Sequence, residues 1–227
     1  MTAAYAVCYL HLMRIKDRII IKIDSVAFGG EGVGRIGDVV AFVPLSAPGD
    51  ELEIEITQVK KRFIRGKILK IIRLSTHRVK PLCRYYDKCG GCCYQHLDYE
   101  YQLAIKKKQV ADAFRKIGKI ANHPVSDVIA SPVVYNYRGK AQYHAQFMSG
   151  KREIGFLDIS GGKIVDIENC DLMEETINEK MRLLRESKQL PNDNQLIIWS
   201  DCLADQSSKK ESIVRIVKGE NFLVPRD

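Results

Sequence analysis

Three cysteines fall within ten residues, as Cys83-x5-Cys89-Gly90-Gly91-Cys92, and a fourth, Cys170, stands 78 positions after Cys92. This spacing constrains the fold strongly, because it asks a tight loop and a distant segment to meet. The other cysteines are Cys8, Cys93 and Cys202, so the total of seven is odd. A secreted disulfide framework is usually even and spread along the chain. Clustering without an export signal reads instead as metal ligation. Three thiolates from one loop and a fourth from afar suit an iron–sulfur cluster, expected to be [4Fe-4S] with Cys83, Cys89, Cys92 and Cys170 as ligands. Four cysteines also make a structural zinc site, though zinc sites more often show paired C-x2-C knuckles, and only one such pair stands here. Cys93 adjoins Cys92 and is read as a spare. Gly90 and Gly91 are expected to let the loop turn sharply and to aim their N–H groups at the cluster sulfides.

Charge supplies the second constraint. The chain carries +8, and the stretch from Lys60 to Lys80 holds nine basic residues with no Asp or Glu. Such a run is often just a solvated strand face. The absence of any acid over 21 positions points instead to a partner with phosphates, an RNA. The contacts expected to carry binding are Lys60, Lys61, Arg62, Arg65 and Lys67, with Arg138 and Lys140 as a second group. Lys106, Lys107, Lys108, Arg115 and Lys116 extend basic charge along the following helix.

The elements read as an α+β chain. Residues 18–28, 38–45, 51–59 and 62–74 are β-branched and alternate, so they form short strands with no helix between them. Residues 29–38, GGEGVGRIGD, read as a glycine-rich turn region. They lack the helix that a dinucleotide-binding loop must open, so they are taken as a barrel loop beside RNA backbone. Gly66 is expected to mark a bend or bulge. Several strands in about 60 residues suggest a small closed barrel. A helix is expected from the N-cap Asp98, with Leu103, Val110, Phe114 and Ile117 on one face. Strands are expected within 133–168, a helix at 173–188 with Ile177, Met181 and Leu184 buried, and final strands at 196–200 and 212–217. The expected division is a tail or upstream start over 1–15, with translation from Met1 or Met13. A barrel follows over 16–75, then a cysteine-bearing domain over 76–227. Residues 1–13 have neither the basic n-region of a signal peptide nor a span's length, which leads to a cytoplasmic, monomeric expectation with no membrane partner.

CRYYDKCGGCCYQHLDYEYQLAIKKKQV resembles the cluster segment of RNA (uracil-C5)-methyltransferases, especially the 23S rRNA type. The likeness runs through the cysteine spacing, Gln95, His96, Tyr99 and Gln102. The barrel looks like that family's TRAM domain, an OB-like RNA-binding module. YNYRGKAQYH, through Tyr137, Arg138 and Lys140, looks like its "Y-R-x-K" strand, and GFLDISGGKIVDIENC like the segment delivering the last cysteine. The resemblance implies an S-adenosylmethionine-dependent enzyme of ribosomal RNA. In that family a cysteine adds to C6 of a flipped-out uracil so that C5 can take the methyl group. The family's methyl-donor domain and its nucleophile are not matched in this sequence, and Cys202 lacks the nucleophile's surroundings. No catalytic residue is therefore carried over, and the chain alone is expected to be inactive. The competing readings are a stand-alone RNA-binding protein with the same cluster and a zinc-stabilised RNA-binding module.

Overall fold

The computed structural model describes residues 13–122, 124–187, 194–200, 212–218 and 221–223. Cys8, Cys202 and most of the expected tail lie outside them. The chain forms two compact units that interleave in sequence: Met1–Pro81 with Cys93–Ala130, and Leu82–Cys92 with Ser131–Asp227. The boundary expected after residue 75 is thus replaced by three crossings of the chain.

The first unit is built on a closed barrel, in the order β1-β2-β3-β5-β4. Its strands are β1 (Arg18–Val26), β2 (Gly32–Ile36), β3 (Val39–Val43), β4 (Glu51–Lys60) and β5 (Phe63–Arg73). β1 closes on β4 antiparallel, and β3 pairs with β5 in parallel. Alternation places Ile21, Ile23, Val39, Ala41, Val43, Leu52, Ile54, Ile56 and Ile64 inside. Full burial of each large side chain contributes about 1.5–3 kcal/mol.

β2 corrects the sequence reading, which took GGEGVGR for a loop. Gly32 and Gly34 are its inward-facing positions. A Cβ on Gly34 would meet the Lys22 carbonyl at 2.3 Å, and one on Gly32 would meet Ser46 Oγ at 1.9 Å. The glycines let neighbouring backbone approach at the barrel wall. They also hide the apolar alternation by which a strand is recognised. Near Gly66 the β4–β5 register does shift, between Ile56 and Gln58.

Helix α1 (Tyr99–Lys116) belongs to this unit, and Asp98 caps it through a hydrogen bond from the Tyr101 N–H at 2.7 Å. It does not bury the expected face: Val110, Phe114 and Ile117 are exposed. The docked face is Tyr101, Ile105 and Gln109, spaced four apart. Ile105 packs with Ala47 and Leu97. Tyr101 stacks on His77 with ring centroids 3.6 Å apart, and Gln109 donates to the Ala27 carbonyl at 2.9 Å. Ring stacking and a half-buried amide hydrogen bond outweigh the apolar stripe.

A polar hub ties the barrel to the segment that follows it. The fully buried Asp50 accepts from the Ala47 and Ser75 N–H groups and from Arg78 Nε and Nη2, at 2.6–3.0 Å. Arg78 Nη2 also donates to the Leu45 carbonyl at 2.8 Å. Close by, the buried His96 hydrogen-bonds the Ser46 carbonyl through Nε2 at 3.0 Å. Burial holds the His96 imidazole below its ordinary value, against the raising effect of that bond. A proton taken up by the unfolded chain below about pH 6.5 is therefore resisted in the folded one. Stability of this unit is expected to be complete above that pH and to fall as pH drops through it. His96→Gln keeps a donor for Ser46 and should flatten that slope. Equal slopes for the two proteins, in denaturant midpoints taken between pH 7.5 and 5, would refute the assignment.

The second unit holds a six-stranded sheet in the order β11-β10-β9-β6-β7-β8, antiparallel throughout. The strands are β6 (Lys140–Met148), β7 (Lys151–Leu157), β8 (Ile164–Asp166), β9 (Asn194–Ser200), β10 (Ser212–Lys218) and β11 (Asn221–Leu223). The segment before Lys140 is not strand, as the sequence had suggested; it runs beside the chain after Cys170. Helix α2 (Glu175–Glu186) buries Ile177 and Met181 with Leu184 packed alongside, as its periodicity implies. Its Arg185 donates to the Ile154 and Ile167 carbonyls at 3.2 and 2.6 Å, which fastens β7 to the end of β8. Among the described residues no helix is long and apolar enough to cross a membrane.

Candidate functional site

Cys83, Cys89, Cys92 and Cys170 all fall in the second unit, whereas Cys93 falls in the first. Cys93 packs on the Gly30 turn, where a glycine Cβ would come within 2.5 Å of its own. The 83–89 segment winds through turns in which the Tyr85 carbonyl accepts from the Lys88 and Cys89 N–H groups at 3.0 and 2.7 Å. It is then strung along the end of β7. The Gly90 N–H donates to the Leu157 carbonyl at 2.9 Å, and the Ile159 N–H to the Lys88 carbonyl at 3.1 Å. Gly90 is required by this close approach, since a Cβ there would sit 2.8 Å from the Asp158 carbonyl. Its N–H is thus spent on backbone pairing and is not aimed at a cluster. The Gly91 N–H instead donates to a cysteine sulfur, Cys89 Sγ, at 3.4 Å.

Cys170 is positioned by a residue that the sequence did not single out. Asn178, fully buried on α2, accepts from the Cys170 N–H at 3.0 Å and donates to its carbonyl at 3.2 Å. Asn136 and Arg138 bond through their N–H groups to the Asp171 and Leu172 carbonyls, each at 2.9 Å. The Tyr85 hydroxyl accepts from the Glu168 N–H at 3.1 Å, which draws the cysteine loop toward the Cys170 segment.

The thiols share one electrostatic environment. Burial pushes the Cys83, Cys89 and Cys170 thiols up, and each feels another of the three: Cys83 feels Cys170, Cys89 feels Cys83, and Cys170 feels Cys89. Tyr135 is within reach of both Cys92 and Cys83. Against burial stand backbone donors two residues on: Tyr85 to Cys83, Gly91 to Cys89, Leu172 to Cys170, with Met173 adding to the last. Hydrogen bonds from N–H to sulfur favour the thiolate. A set of sulfurs with such donors, yet held as thiols by burial, is suited to deprotonation by a bound cation. Among the described residues no group of three or more His, Cys, Asp or Glu side chains is drawn together closely enough to hold a single metal ion.

The basic stretch is arranged differently from the expected open face. In the β4–β5 ladder Glu51 stands opposite Arg73, Glu53 opposite Lys70 and Glu55 opposite Lys67. Lys67 pairs with Glu55 at 2.7 Å, Arg65 with Glu31 at 2.9 Å, and Arg78 is buried on Asp50. Lys108, Arg115 and Lys116 all close on Asp112; the Lys108 hydrogen bond foremost pulls that carboxyl down to about 2. Lys60, Lys61 and Arg62 remain exposed on the β4–β5 turn. Beside that turn the Arg65 guanidinium lies 6.0 and 5.8 Å from the Phe42 and Phe63 rings, themselves edge-to-face at 5.4 Å. In the second unit Lys140 sits 5.1 Å over Trp199, and Arg138 is exposed. Phe42, Phe63 and Trp199 were missed, because cross-strand neighbours are visible only once register is known.

Residues 17–69 match the TRAM domain family. An uncharacterized RNA methyltransferase of Synechocystis is 37% identical over 150 residues, covering 66% of this chain and 32% of that protein. Another, from Fusobacterium nucleatum, is 34% identical over 192 residues, covering 84% of this chain and 40% of its own length. The chain thus spans well under half the length of these curated relatives. A solved tRNA (uracil-54, C5)-methyltransferase from Pyrococcus abyssi, in complex with S-adenosyl-L-homocysteine, aligns over 91% of this chain and 46% of its own. Its TM-score is 0.57, at 25% identity. With its barrel and cysteine-bearing unit described, the chain carries a TRAM domain over residues 17–69 and is homologous to RNA methyltransferases.

Proposed function

We propose that this chain holds and shapes RNA for uracil-C5 methylation, and that its four cysteines carry an iron–sulfur cluster. The observation that carries the reading is the pairing of a TRAM barrel with four cysteines brought into one unit, three of them with N–H donors at sulfur. A tetrahedral zinc site draws its sulfurs to within about 4 Å of one another, since each Zn–S bond is about 2.3 Å. A cubane places each thiolate on a separate iron and so takes sulfurs set wider apart than a single ion does. When bound, such a cluster supplies redox-active iron held by four thiolates, and with four protein ligands its role here is structural. It fastens residues 82–92 to the segment after β8.

The proposed RNA surface is the Lys60–Lys61–Arg62 turn with the adjoining Phe42–Phe63–Arg65 patch. Cations would bind phosphates there, and aromatic faces would receive bases. Arg138 and Lys140 with Trp199 form the proposed second contact. The RNA is proposed to be ribosomal, from the resemblance of the cysteine segment. The solved relative acts on a tRNA, so both RNAs belong in the test. Reversing Lys60, Lys61 and Arg62 to Glu together is expected to weaken binding to either RNA. Each lost phosphate contact lowers the salt slope by about 0.7 on a single strand, so the slope should fall by roughly 2. Arg65→Glu or Lys67→Glu alone should weigh less, because each already faces a carboxylate. Unchanged affinity and slope in the triple variant, measured by fluorescence anisotropy from low to moderate salt, would refute this surface.

A further inference from the structure

Among the described residues two buried side-chain oxygens have no hydrogen-bond partner, Tyr143 Oη and Thr176 Oγ1. Thr176 is a partly exposed residue in the first turn of α2. Tyr143 is fully buried in the middle of β6. It belongs to the same apolar core as Ala141, Ala145, Ile154 and Cys170. A water needs two or more polar partners to be worth trapping, and these apolar walls offer few. Phenylalanine would fill the same space without an orphaned hydroxyl, which is costly to bury unpaired. The hydroxyl therefore calls for an acceptor that the metal-free protein does not present to it.

The surroundings of the ring indicate which partner. Tyr143 packs on Phe156 with ring centroids 4.8 Å apart. Phe156 in turn lies 3.8 Å from where a Gly91 side chain would begin, and that same point is 3.4 Å from Cys89 Sγ. Burial foremost pushes the Tyr143 hydroxyl up, with Cys170 adding to the rise and Arg138 opposing it. Tyr143 thus shares a core with Cys170 and is linked through Phe156 to the Gly91 position beside Cys89.

We propose that the Tyr143 hydroxyl donates a hydrogen bond to sulfur of the iron–sulfur centre, either a cluster sulfide or the Cys170 thiolate, and so positions and tunes that centre. The inference rests on the cluster reading above. Anionic sulfur is a soft, strong acceptor in a site with little water, and hydrogen bonds to it raise the reduction potential by stabilising the added electron. It also explains the retained hydroxyl: a group that is a burden in the metal-free protein becomes a satisfied donor once the centre is assembled.

The test compares wild-type protein with Tyr143→Phe, each reconstituted anaerobically with iron and sulfide. Both should take up the same iron and show the same visible absorption. The Phe variant should have the more negative midpoint in a potentiometric titration. Its Fe–S stretching bands, read by resonance Raman, should shift less on transfer to D2O. In thermal melts the Phe variant should equal or exceed wild type without iron and fall below it with iron, a crossover that a merely structural tyrosine would not produce. Equal midpoints and equal deuterium shifts in two loaded proteins overturn the role of Tyr143 and leave the cluster standing. A wild-type protein that takes up no iron overturns the cluster reading itself. Should the Phe variant fold poorly, the D2O shift of wild type against Phe156→Leu, which keeps the hydroxyl, supplies the comparison: an equal shift supports the bond, and no shift in either refutes it.

Discussion

Replacing Asp50 with alanine is expected to destabilise the barrel unit by about 3–5 kcal/mol, because removing one partner of a buried ion pair leaves the other charge uncompensated. The carboxylate is fully buried and Arg78 is 14% exposed at its side chain. Asp50 also satisfies two backbone N–H groups, which would be stranded with the guanidinium. Whole domains are stable by only about 5–15 kcal/mol, so the variant should melt tens of degrees lower or fail to fold near body temperature. Adding Arg78→Met to Asp50→Ala should cost much less than the sum of the single changes, since both act on one interaction. Urea denaturation followed by circular dichroism measures all three. A loss below about 1 kcal/mol for Asp50→Ala would place this pair with ordinary surface salt bridges.

The second large effect concerns iron. Serine at Cys83, Cys89, Cys92 or Cys170 is expected to abolish the visible absorption and most of the bound iron of anaerobically reconstituted protein, since each thiolate closes one corner of the centre. Cys93→Ser should retain both, because Cys93 belongs to the other unit and packs on Gly30. Removing the metal by chelation should lower the melting temperature of the second unit, whose loop at 82–92 is joined to the 170 segment by few other bonds. A colourless wild-type protein holding one zinc, or a Cys170→Ser variant with full iron, would end the reading.

What could be read from the sequence followed from how locally each feature is encoded. β1, β4 and β5 were legible because Ile and Leu alternate with charged residues along them. β2 was not, because its inward positions are glycines. That Cys83, Cys89 and Cys92 travel together was legible because they lie within ten residues. The residues around them were not: Asn178 and Tyr85 meet the Cys170 segment only through the fold. The basic stretch was misjudged for a similar reason. Glu51, Glu53 and Glu55 alternate along β4, and only the ladder shows that they lie beside Arg73, Lys70 and Lys67. A run without acids in sequence is therefore not a surface without acids. The α1 stripe failed because Tyr101 and Gln109 found particular partners in His77 and Ala27, while Val110, Phe114 and Ile117 stay exposed.

The pairing of Arg78 with Leu97 on neighbouring stretches of backbone has a kinetic meaning for assembly. It pins both ends of the stretch that carries Cys83, Cys89 and Cys92, as the Val79 and Asp98 N–H groups bond across the same gap to the His96 and His77 carbonyls at 3.0 Å. A tether closed at both ends confines three thiols to a small volume, and the entropy of closing it is met by barrel folding before any metal arrives. For the proposed iron–sulfur cluster, their effective molarity toward iron would be set by the barrel, much as a linker sets that of a second binding module. A lesion at Asp50, which holds Arg78, would on this view slow cluster assembly through dilution of its ligands, with every cysteine still in place.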